Sequence, residues 1–228
     1  MTRNGNTPSH GKFITFEGPE GGGKSTHIRL LETFLRTRGL AVTVTREPGG
    51  TPTGEAVRTL LQHDGAGEAP VPRTEVLLFL ASRAQHVDRL IRPALARGEW
   101  VLCDRFEDST LAYQGYARGF DLNALRVLNT FATGGLAPDL TFLLDVPPGV
   151  GGARLRDRHA RNGAGPDRFE REAERFHEQV RRGFLELARM APERIAVVNT
   201  DEATDRVAER IRGIVAGRLL AGESADGC

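Results

Sequence analysis

Cysteine and long apolar runs are both scarce in this sequence of 228 residues, and each scarcity excludes a class of protein. Two cysteines, Cys103 within an apolar run and Cys228, are too few for the disulfide framework of a small secreted domain and fit a reducing compartment. No stretch of about 18 apolar residues is available to span a bilayer. The first eleven residues are polar and lack the apolar centre of a secretion signal. We therefore expect a soluble, cytoplasmic protein.

Lysine and any excess of charge are also nearly absent. The chain has 31 Lys and Arg against 30 Asp and Glu, so its net charge is +1. Such a balance creates no overall field that would attract nucleic acid or a membrane, and we expect neither as a partner. Lysine occurs only at Lys12 and Lys24, so arginine supplies nearly all of the positive charge. A GC-rich coding sequence is enough to explain that preference.

Apolar runs alternate with helical patterns along the whole chain. The runs are short and nearly continuous, as in strands covered on both faces, and they lie at 13–16, 41–45, 100–103, 140–144 and 195–198. The helical patterns lie at 26–38, 54–62, 74–97, 122–133, 150–158, 168–190 and 204–219. Gly39 and Gly98 stand where glycine ends helices, and Asp121 can cap the helix after it. The alternation predicts an α/β fold in which helices flank a parallel sheet. In such folds, ligands bind at the carboxyl ends of the strands.

We expect a single domain over residues 12–219, between a flexible arm at 1–11 and a flexible tail at 220–228, because no repeat or linker divides the chain. One segment lacks the apolar periodicity of its neighbours. Residues 154–168 are polar and rich in arginine, and they contain two glycines and a proline. This composition predicts a mobile lid.

A glycine-rich turn follows the first apolar run and leads into a helix. From Gly18 to Ser25 it fits G-x-x-x-x-G-K-[ST], the phosphate-binding loop of nucleotide-binding enzymes. Glycines let backbone N–H groups surround a polyphosphate, and the helix presents its positive dipole end to the same anion. Lys24 can reach the β- and γ-phosphates, and the Ser25 hydroxyl can ligate Mg²⁺. The predicted ATP-binding residues are Gly18, Pro19, Glu20, Gly21, Gly22, Gly23, Lys24, Ser25 and Thr26.

A carboxylate ends each of two later apolar runs, Asp104 after 100–103 and Asp145 after 140–144. In phosphate-loop enzymes, an aspartate at such a strand end assists Mg²⁺ directly or through water. Arg105, which follows Asp104 directly, adds a cation at the same sheet edge. This neighbour favours Asp104 over Asp145 as the carboxylate that assists Mg²⁺. Asp145 remains the alternative metal-assisting residue. Either aspartate could also be part of a simple polar turn that has no role in metal binding.

Three further segments indicate a pocket for a second, smaller nucleotide. Residues 45–51 combine an arginine with a rigid Pro-Gly-Gly turn after the second run. Phe79 and Arg83 are four apart and share one helix face, where the ring can stack on a nucleobase and the guanidinium can donate to a base carbonyl. Taken alone, such a pair is more often a buried phenylalanine of the core next to an arginine on the surface than a base-binding site. Residues 108–115 add hydroxyls and an amide just beyond Arg105.

Together these motifs identify a resemblance that covers residues 12–215 in order. It is carried by residues 17–25, 46–51, 79–83, 104–106, 110–115 and 137–140. These resemble the bacterial thymidylate kinases, for which Arg-Glu-Pro-Gly-Gly and Ala-Tyr-Gln-Gly are the most specific signatures. The resemblance implies a three-layer P-loop NTPase fold with a five-stranded parallel sheet, and a homodimer. It also implies transfer of the γ-phosphoryl group of ATP, with Mg²⁺, to dTMP, for dTTP and DNA precursor synthesis.

The resemblance implies roles for individual residues on the side of the base and sugar. Phe79 would stack on thymine and Arg83 would bond its O4 carbonyl. Thr110 and Gln114 would hold the base edge and sugar, and Glu20 would accept a hydrogen bond from the 3′-hydroxyl.

On the side of the phosphate, the resemblance implies that Arg58 and Arg105 pair with dTMP, with Arg46 nearby. Glu47 would order the acceptor site or a metal-bound water. The dTMP-binding set is then Glu20, Arg46, Glu47, Arg58, Phe79, Arg83, Arg105, Thr110, Tyr113 and Gln114. The catalytic set is Lys24, Arg105, Arg154, Arg156 and Arg158, and the metal set is Ser25 and Asp104.

Two positions depart from what is common in the family. Gly21 stands where some members carry a phosphate-loop arginine, and in the bacterial type the lid supplies arginines instead. Arg154, Arg156 and Arg158 best match those lid positions. Phe106 stands where a tyrosine is common, which removes a hydroxyl that could contact the sugar.

Two alternative functions remain open at this point. One is a kinase for another nucleoside monophosphate or for a deoxynucleoside. The other is a nucleotide-dependent switch without phosphoryl transfer, although the Asn-Lys-x-Asp guanine motif of a GTPase is absent from the sequence.

Overall fold

The computed structural model describes residues 11–62, 67–163 and 165–220, with the Asn162 side chain left out. The predicted arm and tail lie outside these ranges except for Gly11 and Leu220. Gly11 packs directly on the backbone of Glu99, and Leu220 packs against the main apolar core. Both residues therefore belong to the folded domain.

Five parallel strands form one sheet in the order β2-β3-β1-β4-β5. They are β1 Phe13–Glu17, β2 Val42–Arg46, β3 Trp100–Asp104, β4 Leu140–Asp145 and β5 Ile195–Asn199. Each boundary lies within one residue of the prediction, because two-sided burial makes such strands continuously apolar. The predicted α/β fold with a five-stranded parallel sheet is confirmed.

Helices connect the strands and cover both faces of the sheet. They are α1 Lys24–Arg36, α2 Pro52–Gln62, α3 Pro72–His86, α4 Arg92–Ala96, α5 Glu107–Thr110, α6 Leu122–Thr133, α7 Pro148–Asn162, α8 Glu174–Met190 and α9 Thr204–Val215. π-helical turns at Val87–Ile91, Leu111–Ala117 and Ala216–Leu220 extend α3, α5 and α9.

The helix predicted over 74–97 is interrupted at its middle. Pro93 has no N–H to donate and its ring crowds the carbonyl one turn earlier, so an α-helix cannot pass through it unchanged. The chain widens into the π-helical turn Val87–Ile91, and the Arg92 N–H donates to the Val87 carbonyl, five residues back.

The segment predicted as a lid is partly helical. α7 continues through Arg158 to Asn162 and ends at Gly163, whose φ of +64° suits the left-handed end of a helix. The next helix begins at Glu174 rather than at 168, because the Asp167 carboxylate accepts the N–H groups of Phe169 and Glu170 and holds them in a turn. The segment 107–117, for which the sequence predicted no element, is also helical.

The alternation of side chains along β1 divides the core between the two faces of the sheet. Ile14 and Phe16 pack with apolar side chains of α1 and α9. Phe13 points to the other face, where its ring meets that of Phe106 edge-on with centroids 5.0 Å apart. Because all five strands are parallel, their carboxyl ends open at one edge. Among the described residues, no helix is long and apolar enough to cross a membrane.

Candidate active site

A cavity of about 740 Å³ lies at the carboxyl edge of the sheet. The loops after β1, β2 and β3 form its floor, and one face of α7 forms a wall. The phosphate-loop motif, the Arg-Glu-Pro segment and the Asp-Arg pair are far apart in sequence. Parallel topology brings them to the same edge.

The phosphate loop packs directly on the first turn of α7. Gly21 has a φ of +74°, and a Cβ placed on it would overlap the backbone of Gly151. Any side chain at position 21 would therefore have to displace α7, in addition to adopting a backbone conformation that favours glycine. This close approach explains why a phosphate-loop arginine is absent here.

Lys24 lies at the centre of the loop with only 8% of its surface exposed. Its Nζ donates to the carbonyls of Gly18, at 3.2 Å, and Pro19, at 3.0 Å. Burial and the positive charge of Arg105 lower the pKa of the Lys24 ammonium. An anion held by the loop would offset both effects.

Ser25 and Asp104 form the candidate metal site. The Ser25 hydroxyl donates to Asp104 Oδ2 at 3.0 Å. Asp145, the alternative, is held by Arg181 through two hydrogen bonds of 2.7 and 2.8 Å and does not line the cavity. Within the described ranges no group of three or more His, Cys, Asp or Glu is placed so that it could hold a metal ion by itself. The pair fits Mg²⁺, which uses one or two protein ligands and takes the others from phosphate and water.

Arg105 connects the phosphate loop to the deeper part of the cavity. Its guanidinium donates to Glu20 at 2.5 Å, to the Tyr113 hydroxyl at 3.0 Å and to the Gly18 carbonyl at 3.2 Å. Its φ is +71°, which is uncommon for a residue with a side chain and is typical of functional sites. Burial alone would raise the pKa of Glu20, but Arg105 and Lys24 lower it to about 2. Glu20 is therefore an ionised acceptor at neutral pH.

Arg83 is 1% exposed and binds four partners. Its Nε donates to Glu47 at 2.8 Å, Nη1 donates to Thr110 at 3.0 Å and Asn129 at 2.6 Å, and Nη2 donates to the Phe106 carbonyl at 3.0 Å. A guanidinium has five N–H groups, so one on Nη2 remains for a ligand. Arg83 thus lines the cavity and also holds its floor together.

Aromatic rings line the acceptor side of the cavity. The Phe79 ring lies 5.8 Å from that of Phe169, and Tyr113 meets Phe169 edge-on at 6.3 Å. Sequence reasoning missed Phe169, because a single phenylalanine in a polar segment gives no local signal. Phe106 borders the cavity, but its ring is fully buried and packs edge-on against Phe13, so the ring is mainly a core group.

Two arginines lie on the acceptor side of the cavity, Arg46 at the end of β2 and Arg58 in α2. Arg46 pairs with both carboxylate oxygens of Glu55, at 2.9 and 3.0 Å. Arg58 donates to the Pro48 carbonyl at 3.0 Å, and burial together with the charge of Arg46 lowers its pKa. The charges of Glu55, Asp167 and Asp104 act on Arg58, so its guanidinium has acidic neighbours but no carboxylate hydrogen-bonded to it within the described residues.

The lid arginines divide by helical periodicity. Arg154, Arg158 and Arg161 line the cavity, whereas Arg156 is exposed and does not. Two residues along an α-helix turn the side chain by about 200°. Arg156 therefore lies on the opposite side of α7 from Arg154 and Arg158, and its predicted catalytic role has no support from its position in this structure.

Glu17, at the end of β1, is a second residue that sequence reasoning missed. It is 1% exposed and accepts hydrogen bonds from the Phe106 N–H at 2.7 Å, the Ser109 N–H at 3.2 Å and the Ser109 hydroxyl at 2.5 Å. Burial and the charge of Asp108 raise its pKa to about 7. Its bonds fix the turn that carries Arg105.

Comparison with known proteins agrees with this geometry. A model of the family described as thymidylate kinase matches residues 16–211. The chain belongs to the thymidylate kinase family. The thymidylate kinase of Citrifermentans bemidjiense is 53% identical over 83% of this chain and 84% of its own length. Those of Syntrophotalea carbinolica and Desulfosudis oleivorans are each 51% identical, over 87% and 92% of this chain and 92% and 94% of their own.

Membership of the thymidylate kinase family confirms the resemblance drawn from the motifs. Most residues predicted from that resemblance line one cavity. In the described part of the chain the exceptions are Arg156 and the pair Gly18 and Pro19, whose carbonyls accept from Lys24 at the base of the loop.

Proposed function

We propose that the cavity holds ATP and dTMP end to end and transfers the γ-phosphoryl group of ATP to the phosphate of dTMP, giving dTDP for dTTP synthesis. Family membership supports the activity. The observation that carries the site assignment is the position of Arg105. It contacts Gly18 and Glu20 on the phosphate loop and Tyr113 on the acceptor side. One guanidinium therefore borders both halves of the cavity.

The reaction needs positioning and charge stabilisation rather than a strong base. The attacking phosphate oxygen of dTMP is already anionic, so no proton has to be removed from it. Arg46, Arg58 and Arg105 would hold that phosphate, while Lys24 would neutralise charge on the migrating group. When bound at Ser25 and Asp104, Mg²⁺ would neutralise and orient the ATP phosphates.

Residues 154–168 would act as the lid in this reaction. Arg154 donates to the Gly21 and Thr200 carbonyls, at 3.4 and 3.0 Å, and so lies beside the phosphate loop. Arg158 pairs with Glu170 at 2.6 Å. Closing the lid over the nucleotides would exchange these partners for phosphate oxygens and would exclude water as a competing acceptor.

Turnover with a panel of acceptors tests the function. Purified protein with Mg-ATP should form ADP chiefly with dTMP, compared with dUMP, dGMP, UMP and CMP. A preference for another monophosphate would show that the roles assigned to the base-binding residues are wrong, while the proposed phosphoryl transfer would stand. ATP binding without acceptor-dependent turnover would instead favour a nucleotide-dependent switch.

Removing the Asp104 charge should raise the Mg²⁺ concentration needed for half-maximal activity by about 10- to 100-fold. Asp104→Asn keeps the shape of the side chain but replaces a charged carboxylate oxygen beside Ser25 by a neutral amide, which binds Mg²⁺ more weakly. Asp145→Asn is the matched control, because it removes a carboxylate that Arg181 occupies. Equal Mg²⁺ requirements for the two variants would contradict the assignment of Asp104. Chelating Mg²⁺ should abolish turnover of the parent protein.

We also propose a homodimer that forms through α3 and α6. These adjacent helices expose apolar side chains, Leu77 at 55%, Val127 at 69% and Phe131 at 87%. A second copy would bury this surface symmetrically. Phe131→Glu should convert a dimer into a monomer in sedimentation velocity, with Arg206→Glu on the exposed surface of α9 as the control. A monomeric parent protein would contradict the proposal.

A cytoplasmic location is proposed on chemical grounds. ATP and the precursors of DNA are used there. The buried thiol of Cys103, which donates to the Arg105 carbonyl at 3.1 Å, is a free cysteine suited to a reducing compartment.

A further inference from the structure

We propose that Glu75 is a specificity-determining positioning residue: it orients the Gln114 amide so that the carbonyl oxygen faces the base. This inference rests on the proposed function, in which the pocket beside Arg83 and Gln114 binds thymine. Glu75 lies in α3, one turn before Phe79, and does not reach the cavity itself. It would act on the base through Gln114.

Glu75 is a fully buried carboxylate with three side-chain donors. Gln114 Nε2 donates to its Oε1 at 2.8 Å. Arg118 donates to both of its oxygens, at 2.9 and 3.2 Å, and Arg168 donates to Oε2 at 2.6 Å. Two guanidiniums compensate for the charge of the carboxylate, so it remains an acceptor in the absence of water.

An ionised carboxylate can only accept hydrogen bonds, and this fixes the orientation of the Gln114 amide. The NH₂ group must face Glu75, and the amide oxygen must point the other way. Gln114 is 1% exposed and lines the cavity. No described residue donates a hydrogen bond to the Gln114 Oε1. This oxygen is nevertheless not sealed inside the protein, unlike the enclosed and unpartnered His27 Nδ1 and Trp100 Nε1. The free acceptor therefore faces the cavity.

In this proposal Arg83 supplies a donor and Gln114 an acceptor to the base, since both residues line the cavity. A 4-keto pyrimidine, thymine or uracil, has the complementary edge, because O4 accepts and N3–H donates. Cytosine has the reverse edge, an exocyclic NH₂ group and an unprotonated N3. It would place N–H against guanidinium and a lone pair against the amide oxygen. Glu75 thus enforces rejection of cytosine without touching the base. It does not distinguish thymine from uracil, because these bases differ only in the 5-methyl group.

Glu75→Gln tests the proposal. A neutral amide at position 75 can donate as well as accept, so the Gln114 amide is free to turn over. The ratio of kcat/KM for dTMP to that for dCMP should fall by about tenfold or more, chiefly through KM. The double variant Glu75→Gln/Gln114→Glu keeps the number of charges and again places an acceptor toward the base. It should recover most of the lost ratio.

Gln114→Leu provides a second test that does not disturb the pairing of Glu75 with its two arginines. It removes the amide oxygen and should also lower the dTMP-to-dCMP ratio. If both Glu75→Gln and Gln114→Leu keep the parent ratio, with at most a lower midpoint of urea unfolding, Glu75 is only structural and the proposal is overturned. A parent protein that turns over neither dTMP nor dUMP would instead overturn the proposed function.

Discussion

Alanine at Arg154 or at Arg158 should lower kcat by about 10³-fold while changing the KM for dTMP little. Both residues line the cavity from α7, and the Arg154 guanidinium contacts the Gly21 carbonyl of the phosphate loop. Neither residue belongs to the proposed dTMP-binding set, so their removal would cost charge stabilisation in the transition state rather than acceptor binding. Steady-state rates at saturating ATP and varied dTMP measure this division between kcat and KM.

Arg156→Ala is the matched control, since it removes the same charge from the same helix. Its side chain is exposed and points away from the cavity. We expect its kcat to stay within about a factor of two of the parent, as for a surface substitution. Equal losses in all three variants would indicate that α7 as a whole is disturbed. Unchanged kcat in Arg154→Ala and Arg158→Ala would exclude the lid arginines from the mechanism.

The parts of this protein that were predicted from sequence have local signals. The strands were placed within one residue because each is buried on both faces and flanked by turn residues. The phosphate loop was found because contiguous residues define it. Asp121 was identified as a cap from its position alone, and it accepts the Ala124 N–H at 2.7 Å.

The parts that were missed depend on contacts between distant segments. Glu17 lies in an apolar run, and only the fold shows that it binds Ser109, 92 residues away. Glu75 resembles an ordinary helix-surface glutamate until Arg168 is seen to bind it across 93 residues. By contrast, the π-helical turn before Pro93 had a local signal, because proline inside a helical pattern predicts an interruption.

Asp104 and Asp145 show how structure separates two sequence candidates of the same local pattern. Both end an apolar strand, and the sequence preferred Asp104 only because Arg105 follows it. In the folded chain Asp104 meets the Ser25 hydroxyl, whereas Asp145 is neutralised by Arg181 from α8. Both β3 and β4 lie beside β1, so the choice depends on the contacts that Ser25 and Arg181 make with these two carboxylates, which no local pattern encodes.

Arg83→Ala should lower the free energy of unfolding by about 3–5 kcal/mol. Glu47 is 5% exposed, and Arg83 is the cation that its Oε2 contacts. Removing the guanidinium leaves a buried carboxylate whose other side-chain partner in the described part of the chain is the His86 ring, at 3.1 Å. The Thr110 and Asn129 side chains and the Phe106 carbonyl lose a donor at the same time. Urea unfolding of parent and variant measures the loss.

The double variant Arg83→Met/Glu47→Gln separates charge from packing. Removing both members of a buried ion pair is far less costly than removing one, so the double variant should be more stable than Arg83→Ala by about 2 kcal/mol or more. A single-variant loss below about 1 kcal/mol would show that Glu47 does not depend on Arg83. Any fall in dTMP binding by Arg83→Ala must then be compared with this double variant. The part of the loss that persists in the double variant reports the removal of the Arg83 and Glu47 pair from the base site, and the rest reports lost stability.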